Sequence, residues 1–378
     1  MISMKKKVCI VTAARSEYGL LKWVIDEVFH SVELELQLVV TGGHLLEEQG
    51  YTYKTIETDG YPIAAKVDID VDASSREKVC NTMSVCLARF GEVLSSLNPD
   101  LLVVLGDRYE LLPICSSALV LNIPIAHISG GDITEGAIDN NIRNAVTMMS
   151  TYHFPGTEES GNRVIRMLGT AQNVYVTGET NIDNFTRIRL LSRSFLSKDL
   201  NLDLSKKWII CTYHPETLLS FDENMNRVKS ICRFFEENLK DYEVIITKSN
   251  TDFGGMAINS YFEAQSKSNK NIHLFASLGQ VRYLSMLYQV EFMIGNSSSG
   301  IYESPYVGVP CINIGERQKG RFYSSNILTI EGNLVAIQQA YDTIHSEEFK
   351  QRLERNRYLY GDGHSSERIV ERIKKMLI

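Results

Sequence analysis

Short apolar, β-branched runs alternate with longer amphipathic stretches along the whole chain. In the first half, Val8–Thr12, Leu36–Thr41, Leu101–Leu105, Ile125–Ile128, Thr151–Phe154 and Val174–Val176 predict strands. Gly19–His30, Arg76–Leu97, Glu110–Leu121, Asp139–Ser150 and Thr157–Leu168 predict helices between most of them. The second half restarts the pattern with Trp208–Tyr213, Glu243–Thr247, Ile272–Phe275, Phe292–Ile294 and Cys311–Ile314. Strands that are apolar throughout, with helices between them, indicate a parallel sheet covered on both faces, an α/β architecture.

The polar stretch Asn184 to Lys207 repeats Leu, Ser and Arg and carries no strand pattern, so the linker between two similar α/β halves is placed there. The expected domains are 1–183, joined by a basic amphipathic C-terminal helix over 364–378, and 184–363. A chain of 378 residues suits two domains of ordinary size. A net charge of −7 argues against a nucleic-acid partner, though not against a local basic cluster for a phosphate. Lys5 to Lys7 lead directly into a strand rather than a signal peptide's apolar core. The apolar stretch Leu111 to Ile128 is broken by Pro113, Asn122 and Pro124 and reads as a buried helix and strand, not a membrane span. Seven scattered cysteines with no CxxC pair suggest free thiols, a cytoplasmic location and no metal site.

In parallel sheets of this kind ligands sit at the carboxyl ends of the strands, and polar motifs stand there. After the first strand come Arg15, Ser16 and Glu17; no GxGxxG is present, so a dinucleotide cofactor is not expected, whereas Arg15 can meet a phosphate or Ser16 simply cap a helix. Asp107 and Arg108 follow Leu101–Leu105: a carboxylate for acid–base work or a cap, and a guanidinium able to clamp a diphosphate. Behind Ile125–Ile128 lie Ser129, Gly130, Gly131, Asp132, Glu135, Asp139 and Arg143. Carboxylates crowded in one cleft raise one another's pKa, which keeps a general acid protonated near neutrality; a solvated loop with Asp139 as a cap is the plainer alternative. The second half offers His214 before Pro215, then Asn250 in a glycine-containing stretch. Asn296, Ser297, Ser298 and Ser299 lead into a helix bearing Glu303, an arrangement suited to an anion, and Glu303 can accept from ribose hydroxyls. Arg317 lies in a charged loop after Cys311–Ile314.

The ordered set R-S-E-Y-G, G-D-R-Y-E, H-I-S-G-G-D-x-T-E-G-A-I-D-x-x-I-R, Y-H-P-E-T, G-N-S-S-S-G-x-x-E and I-N-I-G-x-R-Q-x-G-R resembles the hydrolysing UDP-N-acetylglucosamine 2-epimerase family over nearly the whole chain. The resemblance implies two Rossmann-like domains in a GT-B arrangement, with the active site in the interdomain cleft. It implies a UDP-sugar substrate, no cofactor, no nucleic-acid or membrane partner, and a homodimer. The implied reaction releases UDP from UDP-N-acetylglucosamine and gives N-acetylmannosamine through a glycal, for sialic-acid synthesis. A sister branch acts on UDP-N,N′-diacetylbacillosamine for legionaminic acid, and a GT-B glycosyltransferase is the further alternative. Nucleotide contacts are implied for Arg15, Arg108, His214, Asn250, Ser297, Ser298, Glu303 and Arg317, and sugar-side chemistry for Asp107, Asp139 and Arg143. Ser129 stands where sialic-acid members with an H-I-E-G-G motif carry a catalytic Glu; Asp132 or Glu135 is expected to take over that role as the C2 base.

Overall fold

The computed structural model describes residues 5–72, 74–133, 138–216, 218–250, 254–353 and 357–378. They fall into two units, Met1–Asn184 with Tyr360–Ile378, and Phe185–Leu359. The first unit holds six strands: β1 (Lys6–Thr12), β2 (Leu34–Thr41), β3 (Ile63–Val67), β4 (Leu101–Leu105), β5 (Ile125–Ile128) and β6 (Tyr152–Phe154). All pair in parallel in the order β3-β2-β1-β4-β5-β6. Residues of alternating parity serve opposite faces, as a period of two requires. Val8, Ile10, Leu38, Val40, Leu101 and Val103 pack with Tyr18, Leu21 and Ile25 of helix Arg15–Phe29. Cys9, Val11, Val39, Leu102 and Val104 pack with Cys86, Phe90 and Leu94 of helix Arg76–Leu97 on the other face. The C-terminal helix Ser365–Leu377 adds Ile369, Val370 and Ile373 to the first of these cores. At about 1.5–3 kcal/mol for each buried aliphatic side chain, these three residues are a substantial anchor.

The second unit repeats the plan with β7 (Lys207–Thr212), β8 (Tyr242–Thr247), β9 (Ile272–Phe275), β10 (Phe292–Gly295), β11 (Cys311–Ile314) and β12 (Ile327–Ile330), again all parallel. Their order, β12-β11-β10-β7-β8-β9, is that of the first sheet read from the opposite edge. Both units are therefore Rossmann-type sheets.

Two strands escape the apolar pattern, β3 and β12, and both are sheet edges. Half-solvated edges need only a weak alternation, as the exposed Ala64 and Lys66 of β3 illustrate. Conversely, Val174–Val176 is not a strand; a single bridge from Val174 to His153 prolongs the edge of β6. The stretch expected as a linker, Asn184 to Lys207, forms helices Asn184–Arg187 and Arg193–Leu200. It is packed: Arg193 lies over the Trp208 ring at 3.8 Å and donates to the carbonyls of Gln289 and Lys206, while Leu196 is buried.

Candidate functional site

Each sheet reverses its strand sequence once, between β1 and β4 in the first unit and between β7 and β10 in the second. Loops leaving the sheet at such a point diverge and open a crevice. The motifs singled out in the sequence cluster at these places.

At the end of β1 the helix begins at once. Ala14, with extended backbone (φ −151°), precedes Arg15 and offers no side-chain cap. Ser16 therefore lies inside the first turn rather than capping it. Glu17 takes up the turn instead, its Oε2 accepting from the Ala13 N–H at 2.5 Å and from Thr12 Oγ1 at 3.4 Å. Only 4% exposed, Glu17 has its carboxyl pushed up to about 7 by burial, against the pull of the Ala13 N–H and the nearby Arg108. Arg15 points out to solvent.

Beyond β4, Asp107 is ion-paired with Arg143, and Arg108 Nη2 donates to Glu110 Oε1 at 2.7 Å. Asp139 and Arg143 sit one turn apart on helix Asp139–Met149, so both reach the β4 loop. Asp139 opens that helix but is not its cap, which is Ile138. Burial, followed by the charge of Asp107, pushes the Asp139 carboxyl up, with Arg143 and Arg108 opposing. A cavity of about 460 Å³ is lined by Ser16, Glu17, Asp107, Arg108, Tyr109 and Asp139 among others. It joins carboxyl groups disposed to carry a proton to a guanidinium able to meet an anion.

The β5 loop behaves differently. His127 bridges Gly106 O (Nε2, 2.8 Å) and Thr147 Oγ1 (Nδ1, 3.1 Å), and burial pushes its pKa down to about 3, so the ring is a neutral strut. Ser129 adopts a left-handed backbone (φ 59°) and donates to Glu179 Oε2 at 2.9 Å. Gly131 must be glycine: a Cβ there would stand 2.2 Å from the Ser160 carbonyl oxygen. Asp132 Oδ1 accepts from Ser160 Oγ at 2.5 Å and its backbone oxygen from Arg143 at 2.8 Å. Asp132 lines a second cavity of about 310 Å³ with Asn140, Asn144, Arg163 and Arg166, apart from the one that holds Asp107 and Asp139. Glu135 lies outside the described residues.

In the second unit a buried amide spans the reversal point. His214 N donates to Asn296 Oδ1 at 2.7 Å and Asn296 Nδ2 donates back to His214 O at 2.8 Å. The imidazole Nδ1 of His214 accepts from Asn250 N at 3.0 Å, which leaves the proton of the neutral ring on Nε2. Gly295 (φ 132°) brings the two strands together, since a Cβ would meet Thr212 O at 2.0 Å. Ser297 and Ser298 precede helix Ser299–Val307, with Ser297 Oγ accepting from Ser299 N at 3.3 Å; Glu303 is half-buried on that helix. Arg317 is exposed, its Nη1 donating to Asn296 O at 3.2 Å, beside Gln318 Nε2 on the same oxygen at 2.7 Å. Glu216 anchors this loop by pairing with Arg227 at 2.6 Å and accepting from Glu316 N at 3.1 Å.

Sequence reasoning passed over Glu17, Glu110, Glu179 and Asn296. Glu17, Glu110 and Asn296 stood inside the motifs it quoted, but nothing in one sequence says which side chain of a motif turns inward. Among the described residues no group of His, Cys, Asp and Glu is placed to hold a metal ion, and no helix is long and apolar enough to cross a membrane.

Two parallel six-stranded sheets with polar clusters at matching reversal points define an α/β protein of the double Rossmann kind. The chain belongs to the UDP-N-acetylglucosamine 2-epimerase family, which matches residues 27–374. It is 38% identical over 92% of its length to the GDP/UDP-N,N′-diacetylbacillosamine 2-epimerase (hydrolyzing) of Campylobacter jejuni, 89% of which is covered. It is 33% identical to the polysialic acid biosynthesis protein P7 of Escherichia coli, over 91% of this chain and 87% of that one. The crystal structure of the Neisseria meningitidis UDP-GlcNAc 2-epimerase bound to UDP-GlcNAc has the same fold. Its TM-score is 0.78 at 18% identity, with 98% of this chain and 100% of that chain covered.

Proposed function

We propose that this protein is a hydrolysing 2-epimerase that releases UDP from a UDP-linked N-acetylated sugar and inverts the configuration at C2. The observation that carries the reading is the family match over residues 27–374, combined with the Asp107–Arg143–Asp139 cluster beside Arg108. UDP-N,N′-diacetylbacillosamine is preferred over UDP-N-acetylglucosamine as substrate, because the relative at 38% identity is named for N,N′-diacetylbacillosamine linked to GDP or UDP.

In this reading Arg15 and Arg108 of the first unit, and His214, Asn250, Ser297, Ser298, Glu303 and Arg317 of the second, hold the nucleotide. Cleavage of the C1–O bond leads, because C2 has no activating group and its proton becomes acidic only as oxocarbenium character builds at C1. Stabilising the leaving diphosphate is then the main electrostatic task. The C2 proton passes to a carboxylate, a glycal forms, and water adds across the double bond with the opposite configuration. Asp107, held by Arg143, serves as a base, and Asp139, whose environment favours its neutral form, returns a proton. Asp132 fits a base at C2 poorly, since it faces Ser160 in a separate cavity.

The test is incubation with each UDP-sugar, without an acceptor, in heavy water. Free 2-epimerised sugar bearing deuterium at C2 is expected, with diacetylbacillosamine the faster substrate. A product whose C2–H bond survives, or release that requires an acceptor, would sink the reading.

A further inference from the structure

Glu17 is spent on one side only. Its Oε2 holds the β1 turn through Ala13 and Thr12, whereas Oε1, on a residue that lines the 460 Å³ cavity, is buried with no hydrogen-bond partner among the described residues. An ionised carboxylate oxygen shut away in this manner is costly; a protonated one can donate to whatever fills the cavity. Glu17 also shares its surroundings with a second buried carboxylate, Glu110, which already neutralises Arg108 at 2.7 Å. One guanidinium between two buried carboxylates leaves a surplus negative charge whenever both ionise. An anion arriving at Arg108 would then meet a net repulsive cluster.

We propose that Glu17 is a further ligand-positioning residue of the first unit, protonated when an anionic diphosphate sits at Arg108 and donating from Oε1 toward the bound ligand. This rests on the reading that Arg108 meets the diphosphate of a nucleotide sugar. Proton binding then accompanies ligand binding, so affinity falls as pH rises past the point where the free protein loses that proton.

The charged and titratable groups facing Glu17 are few. Arg108 and Glu110 come from the β4 side and Asp107 and Asp139 line the same cavity. His44 reaches it through Thr12, bonded at 3.0 Å to His44 Nε2. Burial pushes His44 down to about 4, so it stays neutral throughout the relevant range, whereas Glu17 is pushed up to about 7. Asp139 also lies above the usual carboxylate range, which is why the variant at 17 is needed to separate the two.

The experiment uses the full chain and UDP-N-acetylglucosamine or its diacetylbacillosamine counterpart, whose diphosphate diester does not titrate near neutrality. For the native protein KM should rise by up to about tenfold per pH unit above 7, the limit for one linked proton. Glu17→Gln, which keeps an acceptor for Ala13 and a donor in place of the acid proton, should abolish that limb and leave KM at its low-pH value. A limb unchanged in Glu17→Gln overturns the proposal. Should Glu17→Gln fail to fold, calorimetry of Asp139→Asn in two buffers of different ionisation enthalpy decides, since Asp139 can then take up no proton: uptake on binding above pH 7 supports the proposal and its absence refutes it. If the native protein leaves both sugars intact, the proposed function falls, and the same pH series read as calorimetric affinity still decides on Glu17.

Discussion

Asn296 and His214 exchange two hydrogen bonds across the reversal point of the second sheet, side chain to backbone in both directions, at 2.7 and 2.8 Å. Asn296 is fully buried, and its backbone oxygen receives Arg317 and Gln318 as well. One amide thereby fixes the ends of β7 and β10 and the loop after β11. Asn296→Ala leaves a buried backbone N–H and C=O unsatisfied, at about 1–3 kcal/mol each. A loss of about 2–5 kcal/mol is expected by denaturant titration. UDP affinity measured by calorimetry should weaken with it, although the proposed contacts lie on the neighbouring residues.

Removing the guanidinium at position 143 tests the electrostatics of the carboxylate pair. Arg143→Met leaves Asp107 without its ion-pair partner and takes away a positive charge that lowers the pKa of Asp139. Turnover should fall by about 100-fold or more, the scale of a misplaced acid–base group. The pH at which Asp139 loses its proton should move upward, since a carboxyl already raised rises further. A kcat–pH profile whose alkaline limb moved down would contradict the assignment.

Acid should unfold the first unit before the second. His44, His127 and His153 are buried there, with pKa values pushed by burial to about 4, 3 and 4. The folded values lie below the unfolded value near 6.5, so the unfolded chain binds protons that the folded unit refuses. The stability concerned is complete above about pH 6.5 and is lost as pH falls toward the folded values, on the order of 3 kcal/mol for each ring. Glu17 acts in the opposite sense, its contribution being complete below about pH 4.5 and lost as pH rises through about 7. Three rings outweigh one carboxyl. The two tryptophans report separately, Trp23 on the first unit and Trp208 on the second. In Trp208→Phe the remaining fluorescence should change at higher pH than in Trp23→Phe.

Asp183 ties down the C-terminal helix. Fully buried, it accepts from Ser365 N at 2.8 Å and Ser366 N at 2.7 Å, a carboxylate at the positive end of a helix dipole. Asp183→Ala should cost about 2–4 kcal/mol, through lost charge-assisted bonds and a buried helix end without a cap. Hydrogen exchange should show residues 365–377 losing protection ahead of the sheet. Equal protection in both proteins would show that the apolar contacts of Ile369, Val370 and Ile373 suffice.

The central strands were legible because burial on both faces leaves an unmistakable run such as Leu101–Leu105, and the loops after them because function concentrates at strand ends. The edge strands β3 and β12 were not, since half their residues answer to solvent. Within the site the motifs were legible and the division of labour was not. Asp107, Asp132 and Asp139 look alike in sequence, yet Arg143 holds the first, Ser160 the second, and burial weights the third toward its neutral form. Glu17 was hidden by a boundary: helix Arg15–Phe29 starts four residues before its apolar periodicity does, which turns a presumed loop residue inward.

The return of the chain at Tyr360 makes the second unit an insertion within the first. During synthesis, the second unit has its entire sequence before the first can close over Ile369, Val370 and Ile373. The unit that begins the chain is thus the last to be completed, and until then the part of helix Arg15–Phe29 that packs against the C-terminal helix waits uncovered on the ribosome. Shortening the protein from its C-terminus therefore damages the domain encoded at the other end of the gene.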